Sequence, residues 1–538
     1  MNTLRKTRTR VALVAAPIAA ALVLAGCASG GDPGGDDNII LVGTTDKVTT
    51  LDPAGSYDNG SLALQINVFP YLVDTALDST EVEPSLAETA EFTAPDEYTV
   101  TLPEGLTWAN GNVLDANDVV FSFERNIAIA DPNGASSLLY NLDSVEAVDD
   151  TTVVFHLKSE NDQVFPFILT SFPGAIVDDE VFSADALTPD NEIVDANAFG
   201  GPYVITSYDF NQTVELAPNP EYRGLIEAPA NDGVILSYYA DSSNLKLDVQ
   251  EGEIDVAYRS LSATDVEDLS GNDNVTVHDG PGGEIRYIVF NFNTQPFGAT
   301  TAEADPAKAL AVRQAVASLI DRDAISEQVY KGTYTPLYSF VPDGFAGATE
   351  VLKDLYGDGD GGPSVENATQ ILADAGVTTP VELNLQYSPD HYGPSSGDEY
   401  ALIEDQLEAD GLFAVNLQST EWVQYSEDRT ADVYPAYQLG WFPDYSDADN
   451  YLSPFFLTQN FLGNHFTDPA VDEMILQQAV TPDAGEREAL IGDIQAAVAE
   501  QLSTVPYLQG AQVAVSGTDI DGIVLDASFK FRWAPVTR

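Results

Sequence analysis

The chain has 538 residues, one cysteine, and 86 acidic against 21 basic side chains, a formal charge of −65. A hydrophobic share of 44%, with 24 Tyr and 24 Phe, suffices for large cores and excludes a disordered chain. The lone cysteine excludes an internal disulfide and any cysteine-clustered metal site, and the acid surplus argues against nucleic acid and against unaided docking on anionic lipid. Only four histidines occur, with no H-E-x-x-H, so neither a catalytic zinc nor a resident cofactor is expected.

Residues 1–26 read as a leader. Arg5, Lys6, Arg8 and Arg10 form a basic start, and residues 11–25 form an apolar run too short and alanine-rich for a spanning helix. The run ends Leu24-Ala25-Gly26-Cys27, which resembles a bacterial lipobox. Cleavage would precede Cys27, and a lipid on that residue would hold the protein on the extracytoplasmic face of the membrane. The alternative is an ordinary signal peptide with a chance cysteine. Residues 27–37, rich in Gly and Asp, read as a flexible tether. The acid surplus runs through the whole chain, which favours adaptation to a saline medium over a field shaped for cationic ligands.

The body alternates strands and helices. Residues 38–44 form a first strand, Leu51-Asp52-Pro53 a turn, and residues 61–73 a helical spacing broken by Pro70. Alternation over residues 98–102 and 152–157 predicts half-buried strands, with His156 on the polar phase. Asp115, with Asp118 three residues on, predicts a capped helix through Arg125. Strands follow at 233–239 and 253–257, separated by a helix that Gly252 ends. Residues 306–320 give the clearest helix, with Pro306 in its first turn, and Asp321 caps another that Gly332 closes. Strands at 381–387 and 413–417 flank a helix at 399–409. A helix over 486–502 precedes a strand at 505–508, and residues 512–533 read as short strands. This is mixed α/β architecture without an internal repeat.

Several stretches, in order, resemble the bacterial extracellular solute-binding proteins of family 5, the oligopeptide- and dipeptide-binding lipoproteins. They are Leu51-Asp52-Pro53; Trp108-x-x-Gly111 with Asp115-Ala116-x-Asp118-Val119-Val120-Phe121; Asn219-Pro220-x-Tyr222; and Gly252-Glu253-Ile254-Asp255-Val256. Phe290-Asn291-Phe292-Asn293 through Phe297 follows, then Val312-Arg313-Gln314-Ala315 through Arg322. Glu421-Trp422, Gly440-Trp441-Phe442-Pro443-Asp444-Tyr445 and Val505-Pro506-Tyr507 complete the set. The resemblance covers residue 38 to the C-terminus. It implies a two-lobed periplasmic-binding-protein type II fold of the large peptide-binding class. Residues 38–80, 200–289 and 511–538 would form lobe I, 81–199 an inserted subdomain and 290–510 lobe II, with the hinge near residues 289–291 and 510. It also implies a monomeric receptor that passes peptides to an ABC importer permease and breaks no bond in them.

The same resemblance implies the site. Asp444 would ion-pair with a ligand's α-amine, or else cap a turn in an acidic loop with Asp447 and Asp449. Trp441, Trp422 and Tyr445 would line the pocket, and Tyr57 and Asn59 would meet the ligand backbone. His391 and Tyr392 lie where some relatives hold a basic group for a peptide C-terminus. Gln438 stands where some have Arg and cannot supply that charge. The carboxylate is therefore held elsewhere, the peptide differs in length, or the ligand is another solute such as an oligosaccharide. A signalling receptor on the same fold is a further reading.

Two motifs are set aside. Gly393-Pro394-Ser395-Ser396-Gly397 fits G-x-S-x-G, but no strand runs straight into it, and a surface serine hydrolase would need His465 as base. Asp358-Gly359-Asp360-Gly361 hints at a calcium loop, but Gly362 and Thr369 replace the required ligands.

Overall fold

The computed structural model describes residues 38–393, 395–528 and 530–538. The leader, Cys27, the tether and Pro394 lie outside the described residues. No described helix is long and apolar enough to cross a membrane.

Eleven strands build the principal sheet. Its main path runs Phe413–Ser419, Val381–Tyr387, Ala436–Trp441, Val275–Phe290, Thr504–Gly517, Val256–Tyr258, Ile39–Thr44, Gly233–Tyr238, Thr213–Pro218, Tyr203–Asp209. The architecture is the α/β, type II binding-protein fold that the motifs imply.

Two long antiparallel strands, Val275–Phe290 and Thr504–Gly517, run through the middle and serve both halves of the sheet. Their first stretch pairs Val275–Pro281 with Ala511–Gly517, beside Val256–Tyr258. After a break between Pro281 and Ile285, Ile285 to Val289 pair with Gln509 to Thr504, beside Ala436–Trp441. At the break the backbones nearly touch: a Cβ on Gly282 would run into the Gly510 carbonyl. Only glycine permits that approach. Residues 505–508 and 512–517 are thus one strand. Beyond Gly517 the described residues form none of the expected short strands, only an isolated antiparallel bridge between Asp521 and Thr537. That tail instead buries Phe531, Trp533 and Val536 in the core with Ile40 and Val234.

Local chemistry accounts for the helices that position the site. Asp58 starts helix Asn59–Val68 by accepting from Ser61 N at 2.8 Å and Ser61 Oγ at 2.9 Å. The helix ends at Val68 because Phe69 precedes Pro70 and is extended, as residues before proline are. The expected Asp115–Asp118 capping box opens helix Ala116–Ile129, which outlasts the expected end at Arg125 by one turn. Pro306 starts helix Pro306–Leu319, as its fixed φ favours. Helices Val351–Leu355 and Val365–Asp374 were not foreseen.

A separate four-stranded sheet, Thr89–Ala94, Glu97–Thr101, Thr152–Leu157 and Leu142–Ala147, lies in the segment between Pro84 and Tyr203. Its core contains Trp108, Val119, Phe123, Phe155 and Phe165, and also Tyr445 from the opposite half. The Gln163 amide donates to the Ala479 carbonyl at 2.8 Å, a second tie between these regions. The suspected calcium loop is a turn closed by Asp358, which accepts from the amides of Asp360 and Gly362.

Candidate ligand-binding cavity

The loop after the first strand is held by a buried ion pair. Asp52 takes both ends of the Arg125 guanidinium, at 2.9 and 2.8 Å, and accepts from the amides of Ala54 and Thr188. This fork is the structural content of Leu51-Asp52-Pro53. It fixes where Tyr57, Asp58 and Asn59 emerge. The Tyr57 ring meets Phe172 edge-on at 4.9 Å, and its hydroxyl donates to Asp444 Oδ1 at 2.5 Å.

Asp444 follows strand Ala436–Trp441 on the other side. Asn450 sets its geometry. Asn450 Oδ1 accepts from the Asp444 amide and from Trp441 Nε1, both at 2.9 Å, and Nδ2 donates to Asp444 Oδ2 at 3.1 Å. Burial raises the Asp444 pKa above the ordinary carboxylate value, against the opposing pull of the Tyr57 and Asn450 hydrogen bonds. The turn-capping role belongs to its neighbours. Asp447 accepts from the Asp449 amide and forks with Arg487 at 2.7 and 2.8 Å. Asp449 is buried among Ser453, Gln478 and Tyr445, and burial pushes it up to about 6.

An aromatic wall completes the site. His391 stacks on Trp422 with centroids 3.6 Å apart and planes 3° from parallel, and Tyr392 meets Trp422 edge-on. Asp390 pins this wall by accepting from the Trp422 amide at 3.0 Å, while Arg286 donates to the Tyr392 carbonyl at 2.9 Å. Burial, helped by the nearby Arg286 charge, pushes His391 down to about 4 despite Asp390. The ring is therefore uncharged near pH 7 while no further anionic group lies against it. Trp441 packs edge-on against Phe455 and Phe461.

Tyr57, Asn59, His391, Tyr392, Trp422, Trp441 and Asp444 all line one cavity of about 280 Å³, lying between the two halves of the sheet. Gln438 and Tyr445 do not. Gln438 is buried on the other face of its strand, donating to Glu399 at 3.1 Å and Ser396 at 3.3 Å and accepting from the Ser388 amide. Strand alternation turns it away from the cavity. The Tyr445 ring joins the core of the small sheet. The cavity also takes Asp58, Phe172, Arg429, Phe442 and Phe461, none foreseen as site residues. Arg429 was open to detection, because it lies seven residues after Trp422 on one helix and so shares its face. A larger cavity of about 530 Å³ opens between residues 294–303 and the start of strand Val381–Tyr387, and Phe297 is its one aromatic side chain.

No hydrogen bond joins Ser395 to His465 among the described residues. His465 instead pairs with Asp432 at 2.7 Å.

Comparison with known proteins places these features in context. The sequence profile for "Bacterial extracellular solute-binding proteins, family 5 Middle" matches residues 81–463. The dipeptide-binding protein of Escherichia coli (strain K12) is 23% identical over 552 residues, covering 98% of this chain and 96% of that one. Among solved structures, HbpA2 from Haemophilus parasuis superposes with a TM-score of 0.78 at 21% identity, over 93% of this chain and 99% of the other. The periplasmic binding protein DppA from Helicobacter pylori, in complex with the peptide STSA, gives 0.71 at 20% identity over 93% and 98%.

Proposed function

The chain belongs to the bacterial extracellular solute-binding proteins of family 5, and from that membership and the cavity we propose that it captures short peptides by their free amine and delivers them to an ABC import permease. The observation that carries this reading is Asp444. It is a carboxylate in the wall of an aromatic cavity, held by Asn450 and bonded across the cavity to Tyr57. A ligand ammonium would form a charge-assisted bond there in place of, or beside, the Tyr57 hydroxyl. Trp422, Trp441, Tyr392 and the neutral His391 offer flat apolar surface for side chains of varied size.

Residues 38–80, 200–289 and 511–538 would move as one lobe, 290–510 as the other, and 81–199 as a subdomain that lends Phe172 to the cavity. Ligand would favour the closed arrangement by touching both lobes. The protein would act as a monomer, anchored through lipid on Cys27 at the extracytoplasmic face, with no bond broken in the cargo. The peptide-binding relatives support the ligand class. A second reading, an oligosaccharide, draws on the same aromatic wall, with Asp444 accepting from sugar hydroxyls instead of pairing with an ammonium.

Titration calorimetry on a panel of free-amino peptides, their N-acetylated copies and oligosaccharides tests this. Asp444→Asn should weaken free-amino peptides by about tenfold to a hundredfold, the worth of a charged hydrogen bond, and leave acetylated ones nearly unchanged. Equal losses for both would remove the assigned role, and saturable binding of sugars alone would replace the reading.

A further inference from the structure

We propose that Tyr445 is a positioning residue for cargo capture: its ring plugs into the segment that carries the small sheet when the two sides of the cavity meet, and so locks Asp444 over the ligand; this rests on the peptide reading above. Tyr445 follows Asp444 directly, yet its ring is 8% exposed and shares a core with Leu139, Leu142, Val164 and Phe165 of that segment. Its neighbours on the same loop stay on their own side. Asp447 forks onto Arg487, and Asp449 accepts from Ser453 and Gln478. Tyr445 crosses.

The segment it enters is fastened to the opposite side of the cavity, the side that displays Tyr57. Arg125 forks onto Asp52 at 2.9 and 2.8 Å. Asp190 accepts from the Thr50 hydroxyl at 2.8 Å and from the Leu51 amide at 2.9 Å. Tyr71 and Ala175 form an antiparallel bridge.

The seam with the Asp444 side is lighter. The Gln163 amide donates to the Ala479 carbonyl at 2.8 Å, and Ala479 is partly buried against the same core as Tyr445. Burial raises the pKa of Asp162, while its hydrogen bonds and the Arg487 charge across the seam pull it down. A joint made of a ring, a backbone bond and a charge at a distance parts before a buried fork does.

The coupling follows from adjacency. Asp444 and Tyr445 share one peptide bond, so a ligand that draws Asp444 toward Tyr57 also brings the ring to its socket. Parting the sides would expose an aromatic side chain of about 150–250 Å², which favours the docked state by about a hundredfold or more. The hydroxyl adds little to this, because it donates at 3.2 Å to Asp449 on its own side of the seam. The ring is the part that acts.

Hydrogen exchange and stopped-flow kinetics on the full chain test the assignment, the probe being a free-amino dipeptide selected from a mixed library by native mass spectrometry. In wild type the bound dipeptide should slow exchange of the Gln163 amide by about tenfold or more, since its acceptor lies across the seam. Tyr445→Ser should abolish that slowing and speed dipeptide dissociation by about tenfold or more, with association changed less than about threefold. Tyr445→Phe should restore both. Gln163 exchange that ignores a bound dipeptide overturns the proposal even if the serine variant fails to fold. So does a serine variant that releases dipeptide at the wild-type rate, or a phenylalanine variant that behaves like it. In each of these cases the bound dipeptide leaves the peptide reading standing. Wild-type protein that retains no dipeptide sinks both.

Discussion

Tyr57 and Asp444, 387 residues apart in sequence, share a 2.5 Å hydrogen bond across the cavity. A neutral donor meets a carboxylate whose proton affinity burial has raised, so the bond draws the two sides together without any cargo. Tyr57→Phe should therefore loosen the unliganded closed form. Small-angle scattering should show a larger radius of gyration for the variant than for wild type, and an unchanged radius would count against the bond as a latch.

Asp444 also sets a pH dependence. An ammonium ligand needs the carboxylate, and the raised pKa means that protonation begins above the ordinary aspartate value of about 3.9. Affinity for a free-amino peptide should fall on acidification, by about tenfold per pH unit once below that pKa, while an N-acetylated peptide stays level. Asn450→Ala removes a donor to the charged form and should move the fall to higher pH. Calorimetry at descending pH reads both, and a fall confined to pH below about 3.9 would contradict the raised value.

Stability should respond to acid as well. Burial pushes Asp118 up to about 7 and Asp449 up to about 6, each above its unfolded value. The folded form then binds protons more tightly than the unfolded form. The destabilisation is complete above about pH 7 and fades toward about pH 4. The melting temperature should rise between about pH 8 and 6, and Asp118→Asn should flatten that rise. A steady decline over the same interval would refute it.

Arg125 and Asp52 should be interdependent. Arg125→Met strands a fully buried carboxylate, which costs about 3–5 kcal/mol, and frees the loop that displays Tyr57. Urea unfolding should show that loss as a lower midpoint with an unchanged slope. A shift under about 1 kcal/mol would mean that the Thr188 and Ala54 amides suffice.

The formal charge of −65 has its own signature. Self-repulsion opposes folding and salt screens it, so the melting temperature should climb as NaCl rises from about 0.1 to 1 M. No change would show that the acids are spaced beyond effective repulsion.

Local signals carried much of the fold. The Asp115–Asp118 box, Pro306 and Gly252 mark real helix ends because each satisfies or releases specific backbone groups. The family motifs led to seven residues that share a cavity, because short loops follow the ends of strands and helices whose positions the motifs mark. Gln438 and Tyr445 went astray for a geometric reason. Each is close in sequence to Trp441, but strand alternation and the bend over residues 444–447 send them to different cores. Arg429 was passed over because a lone base on a polar helix looks like surface until tertiary packing buries it. The strand through Gly510 was split because glycine usually interrupts, whereas here it lets two backbones cross.

The twin strands shared by the halves constrain how the molecule can gape. Two halves mounted on the same pair of ribbons would flex like a leaf spring: sliding one half sideways or trading it with a neighbouring copy would tear the ladder on one side or the other of the break between Pro281 and Ile285. The pinch at Gly282 and Gly510 leaves no room for a methyl group, so Gly282→Ala should drive the two ribbons apart at the point where they lie closest.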